Sequence, residues 1–257
     1  MALDRINSER EFHNARYGSG EDARAHLNRF YVAISDGDRR FRRLVFDQAR
    51  DRKVLEYGCA DGTSAVFEMK TPQIAAEFCG IDISDQSIGL AREKAAAAGY
   101  KNCEFRVMNA EQMQFPEGSF DLVYGHGILH HLDLEKSFAE ICRVLRPGGS
   151  AVFMEPLGHN PVLNWYRDRT PSLRTADEHP LVSRDLALAR RYFAGVHIEF
   201  AGLTTMLAIP FQRTPLARTS LAVLAEVDRL LFRSRTIGMH AWYALLMLTK
   251  AGEPTQH

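Results

Sequence analysis

The residues of this 257-residue chain whose types and spacing suit chemistry fall into three groups. In the first, Glu56-Tyr57-Gly58-Cys59-Ala60-Asp61-Gly62 sets an acid two residues before a glycine turn. Glycines there let the backbone bend tightly and bring main-chain N–H groups to a ligand. In the second, Asp82 and Ile83 close another apolar run. An acid in that place accepts two hydrogen bonds from a ribose diol and disfavours a 2′-phosphate. Asn109-Ala110-Glu111 follows a third run, and together these residues describe a site for an adenosine-type ligand. The third group is histidine-rich: His126, His130 and His131 after a fourth apolar run, Glu155 after a fifth, and His159 and His179 in the polar stretch beyond. Imidazole titrates near neutrality, so His131 and His159 are candidate general bases. Glu155 would orient a hydrogen-bond donor of the substrate, and His130 and His179 would touch substrate. In a plainer reading the His130-His131 pair only completes a turn. No metal is expected, because neighbours such as His130, His131 and Asp133 do not converge on one ion without further ligands.

Strands must bring these groups together. KVLEYG from Lys53, EFCGIDI (Glu77 to Ile83), CEFRVMN from Cys103, FDLVYG (Phe120 to Gly125) and SAVFMEP from Ser150 are short apolar runs ended by glycine or polar residues. That is the pattern of parallel strands covered on both faces. Helical stretches lie between them: one from Asp61, an alanine-rich one capped by Ser84 and stopped by Gly99, and one from Leu134 to Leu145. Asp133 caps the last, and Pro147-Gly148-Gly149 is its break. The alternation predicts an α/β, doubly wound fold with right-handed crossovers. Ligands of such folds bind outside the carboxyl ends of the strands, where all the unusual residues fall. GVHIEF from Gly195 and AWYALLML from Ala241 are closing strands. Residues 1–52 read as an N-terminal helical cap, on which His13 and Tyr17 share a face. The main domain is 53–257, with insertions at about 157–194 and 203–238, the first a lid or substrate loop after strand five.

Spacing separates three adenosine cofactors. A nicotinamide fold asks for G-x-G-x-x-G, yet Gly58 is followed at those positions by Ala60 and Thr63; a P-loop asks for Gly-Lys, which does not occur. S-adenosylmethionine remains, with a ribose, an adenine and an amino acid end but no phosphate. Glu56 would attract its ammonium, and the residue ending the third strand would meet the adenine amino group. VLEYGCADG (Val54 to Gly62), GIDIS (Gly80 to Ser84), NAEQMQFPEGSFDLVYGHGILHHL (Asn109 to Leu132) and VLRPGGSAVFMEP (Val144 to Pro156) resemble, in order, the motif series of the class I S-adenosylmethionine-dependent methyltransferases. The resemblance implies a Rossmann-like seven-stranded sheet whose last strand, AWYALLML, runs antiparallel. It implies a cap that closes over the cofactor, with Tyr17 near the methionine carboxylate. It further implies cofactor contacts from Glu56, Gly58, Cys59, Gly62, Asp82, Ile83, Asn109, Ala110, Glu111 and the backbone around His126. The expected activity is methyl transfer to oxygen or nitrogen of a small-molecule substrate. Two residues depart from the pattern: Ala60 stands where the loop usually has glycine, and Asn109 where it usually has an acid. The alternatives are a cofactor-binding protein of the same fold without methyl transfer or with another reaction, and a methyltransferase of membrane-associated lipid or quinone substrates.

Composition narrows the partners. Lys+Arg 32 equals Asp+Glu 32, giving a formal net charge of +0, and 46% of residues are hydrophobic. This argues against nucleic acid, which asks for a basic excess or stripe, and against a disordered chain. Four cysteines without a C-x-x-C pair read as reduced thiols. With no apolar signal core at the N-terminus and no run of bilayer length, the expected location is cytoplasmic. No sequence feature specifies an oligomer. Leu221, Leu224, Val227 or Asp228, and Leu231 fall at helical spacing in a segment with five arginines between Phe211 and Thr236. We read that apolar face as packed on the core; the alternative is peripheral contact with a membrane.

Overall fold

The computed structural model describes Arg10, Glu11, Asn14, residues 25–170 and residues 178–253. His13 and Tyr17 lie outside the described residues. Among the described residues, seven strands form one sheet: β1 (Lys53–Tyr57), β2 (Glu77–Asp82), β3 (Cys103–Val107), β4 (Phe120–His126), β5 (Leu145–Pro156), β6 (Gly195–Ala201) and β7 (Tyr243–Thr249). Their order is β3-β2-β1-β4-β5-β7-β6. The first five pair in parallel, and β7 runs antiparallel to both β5 and β6. The strand order reverses between β1 and β4, which opens the crevice where ligands of doubly wound sheets bind.

The two-residue period of a strand divides its side chains between two cores. Leu55, Tyr57, Val123, Phe153 and Leu246 face Phe138 and Ile141 of α3 (Leu134–Val144). Val54, Leu122, Tyr124, Val152 and Leu245 face the other way, toward Phe41 and Val45 of α1 (Ser35–Ala49) and Ile88 and Ala91 of α2 (Asp85–Ala97). Burial on both faces explains why these strands read as continuous apolar runs. Truncating a side chain such as Phe138, fully buried, costs about 3–5 kcal/mol.

Three local features differ from the sequence reading. The stretch after Asp61 makes a π-helical turn, Ser64–Glu68, and a single α-turn, Thr71–Ile74, in place of a full helix. Lys70 at φ 53 and Pro72 interrupt it. Pro147-Gly148-Gly149 lies inside β5, where the register with β4 shifts between Phe120 and Leu122. Proline is tolerated there because the start of a strand can leave its missing N–H unpaired. In α6 (Ala217–Leu231), Leu221, Leu224 and Leu231 are half-buried, but the fully buried position is Asp228, and Val223, Val227 and Leu230 face solvent. The lid region contributes α4 (Pro161–Asp168) and α5 (Ser183–Leu188), and the cap region a 3-10 helix over Ala25–Ile34 that leads into α1.

Candidate active site

Asp82 organises the turn after β1. Its Oδ2 accepts the Ala60 N–H at 2.9 Å and its Oδ1 the Ser84 N–H at 2.9 Å, so one acid ties the β1 loop to the start of α2. Each oxygen keeps a second lone pair for a ribose hydroxyl. Ile83 is half-buried beside it. Gly58 stands at φ 78 and Gly62 at φ 71. A Cβ at Gly58 would lie 2.7 Å from Ile128, and one at Gly62 would lie 2.9 Å from Ala91, so conformation and space both demand glycine. Ala60 adopts φ 49, a left-handed conformation that costs a residue with a Cβ about 1 kcal/mol. The Cys59 thiol is buried, and burial, with Asp82 nearby, pushes its pKa well up; it packs the loop as a neutral thiol. Asp61 is half-buried, which works against its charge, but Lys94 and Thr63 bind it and hold its pKa below the usual value.

Glu56 is 5% exposed, and its Oε2 has no hydrogen-bond partner. Burial pushes its pKa up to about 8; the Tyr124 hydroxyl opposes this, while Asp82 and Asp61 add to it. A buried carboxylate with an unfilled oxygen beside a glycine turn is a receptor for a small cation. The amino acid end of S-adenosylmethionine carries such a cation, so these residues fit the cofactor: Glu56 for its ammonium, Asp82 for its ribose, and Gly58 and Gly62 for close approach. At the adenosine end, Asn109 Oδ1 accepts the Glu111 N–H at 2.9 Å, and the Tyr57 hydroxyl donates to the Ala110 carbonyl at 2.7 Å. Glu111 is turned to α3, accepting the Asp133 N–H at 2.8 Å. Asn109 therefore shapes its own turn first, and a recess of about 430 Å³ lined by Arg10, Val107, Met108, Asn109 and Gln112 opens beside it. Asn14, which no sequence signal marked, accepts from Ser84 Oγ at 2.6 Å and donates to Asp85 at 2.9 Å, bringing the N-terminal region to the ribose end.

His126 ends β4 on the Glu56 face. Its ring meets Phe41 edge-on at 5.6 Å and Tyr243 at 5.9 Å and stays exposed to solvent. Tyr31, stacked on Trp242 at 5.5 Å, extends this aromatic wall, whose members are too scattered in sequence to be read together.

On the opposite face, Glu155 is fully buried. Its Oε1 accepts the Ile128 and Leu129 N–H groups at 2.9 Å each, and its Oε2 lies 2.8 Å from His130 Nδ1. Burial would raise the Glu155 pKa, but His130 and the two N–H groups outweigh it and hold the pKa below its usual value. At His130 burial prevails over Glu155, and the pKa falls. The pair is thus a carboxylate receiving Nδ1–H from a neutral imidazole, which leaves the Nε2 lone pair available. A carboxylate-oriented imidazole is the arrangement of a general base. Glu155 orients His130; His131 lies alongside, with ring centroids 4.2 Å apart and its own N–H closing the turn to Ile128 O at 3.1 Å. His130 Nε2 faces Glu178 Oε1 at 3.8 Å, beyond hydrogen-bond length. Glu178 comes from the polar stretch beyond β5, and the fold brings it to the histidines. Among the described residues, His130, His131 and Glu178 have ligand atoms within 4.8 Å of one another. Such a set can grasp a divalent ion once it contracts to metal bonds of about 2.1 Å.

His159 serves a different purpose. Its Nε2 accepts the Ser183 N–H at 3.0 Å at the start of α5, so Nδ1 carries the proton in the neutral ring and no lone pair remains for a base. His179 is exposed, and its N–H donates to the His130 carbonyl at 2.8 Å.

A methyltransferase domain matches residues 54–149. A demethylmenaquinone methyltransferase of Chlorobaculum parvum is 36% identical over 116 residues, 44% of this chain and 45% of that protein. Ajmaline N-methyltransferase of Rauvolfia serpentina is 28% identical over 164 residues, 63% of this chain and 51% of that one. The chain thus spans about half the length of the curated relatives it matches. Geranyl diphosphate C-methyltransferase of Streptomyces coelicolor shares the fold, with a TM-score of 0.60 at 16% identity over 84% of this chain and 78% of that one. Residues 54–149, which carry most of the motif series at the strand ends, thus match a methyltransferase domain, and the chain is similar there to class I S-adenosylmethionine-dependent methyltransferases.

Proposed function

We propose that the chain methylates a small acceptor bearing an acidic hydroxyl, with His130 as the base and Glu155 as the carboxylate that orients it. The observation that carries this reading is the buried pair, 2.8 Å apart, with the lone pair of the imidazole on Nε2. S-adenosylmethionine supplies an electrophilic methyl on a good leaving group, so the protein chiefly aligns the acceptor and excludes water. A hydroxyl acceptor gains from losing its proton as the new bond forms, and His130 Nε2 receives that proton. General bases contribute about 10²–10⁴ in rate. This revises the sequence reading, which gives the base role to His131 and His159.

A phenol or hydroquinone ring suits this base for either outcome, because its deprotonation raises the nucleophilicity of the oxygen and of the adjacent ring carbon. The likeness to a demethylmenaquinone methyltransferase supports the second outcome. The test is methyl transfer to a panel of soluble phenols and hydroquinones, with product NMR to distinguish oxygen from carbon, using wild type, His130→Gln and His131→Gln. Turnover is expected to fall roughly a hundredfold or more in His130→Gln alone. Equal losses in both variants would overturn the base assignment. Tight cofactor binding without turnover on any acceptor would favour a binding protein of the same fold.

A further inference from the structure

The segment from Thr204 to Gly238 shows apolar side chains to solvent. Leu207 is 65% exposed, Leu216 59%, Val223 58% and Leu230 55%, and Phe211, Val227 and Ile237 are exposed as well. On α6, Val223, Val227 and Leu230 recur at intervals of four and three, so they form one stripe. The helix cannot turn that stripe inward without releasing Asp228. This buried acid accepts the Leu203 and Thr204 N–H groups at 3.0 and 2.6 Å, and the Thr204 and Thr205 hydroxyls at 2.6 and 2.9 Å. An amphipathic helix that buries its acid and presents valine and leucine outward marks a surface made for a partner.

Charge selects the partner. Arg213, Arg218, Arg229, Arg233 and Arg235 are all exposed, whereas the acids of α6 are Asp228, engaged internally, and Glu226, paired with Arg229. A second copy docked on this face across a two-fold axis would set arginine against arginine. An anionic bilayer accepts both the stripe and its cationic rim. Asn160, the cap of α4, donates from Nδ2 to the carbonyl of His240, two residues past the segment, at 2.8 Å, and α4 exposes Val162 and Trp165. The Arg169 guanidinium sits 4.1 Å from the Trp165 ring centroid, and an indole paired with a cation is suited to the headgroup level of a membrane. No helix among the described residues is long and apolar enough to cross a membrane, which fits a segment lying in the interface.

We propose that the 204–238 segment docks the chain on an anionic membrane surface, with the Val223–Leu230 stripe inserted and the arginines at the headgroups. This stands apart from the reading of the active site. The experiment is co-sedimentation of the full chain with vesicles of phosphatidylcholine alone and of phosphatidylcholine with phosphatidylglycerol, at low and high salt. Wild type is compared with Val223→Asp/Leu230→Asp and with Arg218→Glu/Arg233→Glu. Thermal melting and S-adenosylmethionine titration accompany each variant; because all four residues are exposed, both readings are expected to stay at wild-type values. Should the aspartates impair folding, Val223→Ser/Leu230→Ser replaces them. The expected result is binding to the anionic vesicles, weakened by salt and roughly tenfold or more weaker in each variant. Wild type left in the supernatant, or binding unchanged in both variants, would overturn the proposal. So would a dimer in analytical ultracentrifugation that Val223→Asp/Leu230→Asp dissociates while no vesicles are bound.

Discussion

Cofactor binding should expel a proton from Glu56. With its pKa raised to about 8, roughly nine-tenths of the ligand-free protein carries that proton at pH 7. An ammonium facing the unpartnered Oε2 favours the charged form, so binding ionises the group. Close to one proton leaves per ligand at pH 7, and affinity rises about tenfold per pH unit before flattening above about 8. The same shift sets the stability of the ligand-free protein. The folded state holds this proton more tightly than the unfolded chain, so the contribution is complete below pH 4.5 and is lost as pH rises toward about 8. At pH 7 the loss approaches about 3 kcal/mol, an upper bound set by the 1.36 kcal/mol per unit of linkage. Glu56→Gln keeps the shape and cannot ionise. Its ligand-free Tm should exceed wild type at pH 8 and match it at pH 5, while S-adenosylmethionine binds roughly a hundredfold more weakly. Calorimetric titration in phosphate and Tris at pH 6, 7 and 8 reads the proton directly, and the Gln variant subtracts any proton carried by the amino group of the ligand. Equal proton release in wild type and variant, or equal affinity, would refute the reasoning.

Two further substitutions test the loop and the buried acid. Ala60→Gly relieves the left-handed conformation at φ 49, and urea unfolding should show a gain of at most about 0.5 kcal/mol after the added freedom of the unfolded chain is counted. Glu155, whose pKa is held low, contributes stability that is present above the unfolded value of 4.5 and lost as pH falls through the lower folded value. Melting curves from pH 3 to 7 should therefore show Glu155→Gln about 2–3 kcal/mol less stable at neutral pH and flatter in acid, because a neutral amide replaces a charged acceptor of three N–H groups.

What the sequence makes legible is what a few neighbouring residues decide. Leu55, Val123 and Phe153 mark strands because each is buried whichever helix covers it. Ser84 and Asp133 mark helix starts because their oxygens meet N–H groups two or three positions on, Ser87 at 3.1 Å and Glu135 at 3.1 Å. Glu56, Gly58, Gly62 and Asp82 are legible for the same reason, being fixed within a residue or two of a strand end. The choice between Val227 and Asp228 is not, since helical spacing admits either on the inner face until the donors at 203–205 are seen to fold back on the acid. The choice between His130 and His131 is hidden for a sharper reason. Leu129–His131 is a 3-10 turn, in which successive side chains point about 120° apart, so only one of the pair can turn to Glu155. Which one it is depends on Glu155 receiving the Ile128 and Leu129 N–H groups across the gap between β4 and β5, a register that no local pattern encodes. Adjacent histidines with equal chemistry thus acquire different work from a single rotation of the backbone. That is why His130→Gln and His131→Gln, indistinguishable by composition, should separate in turnover.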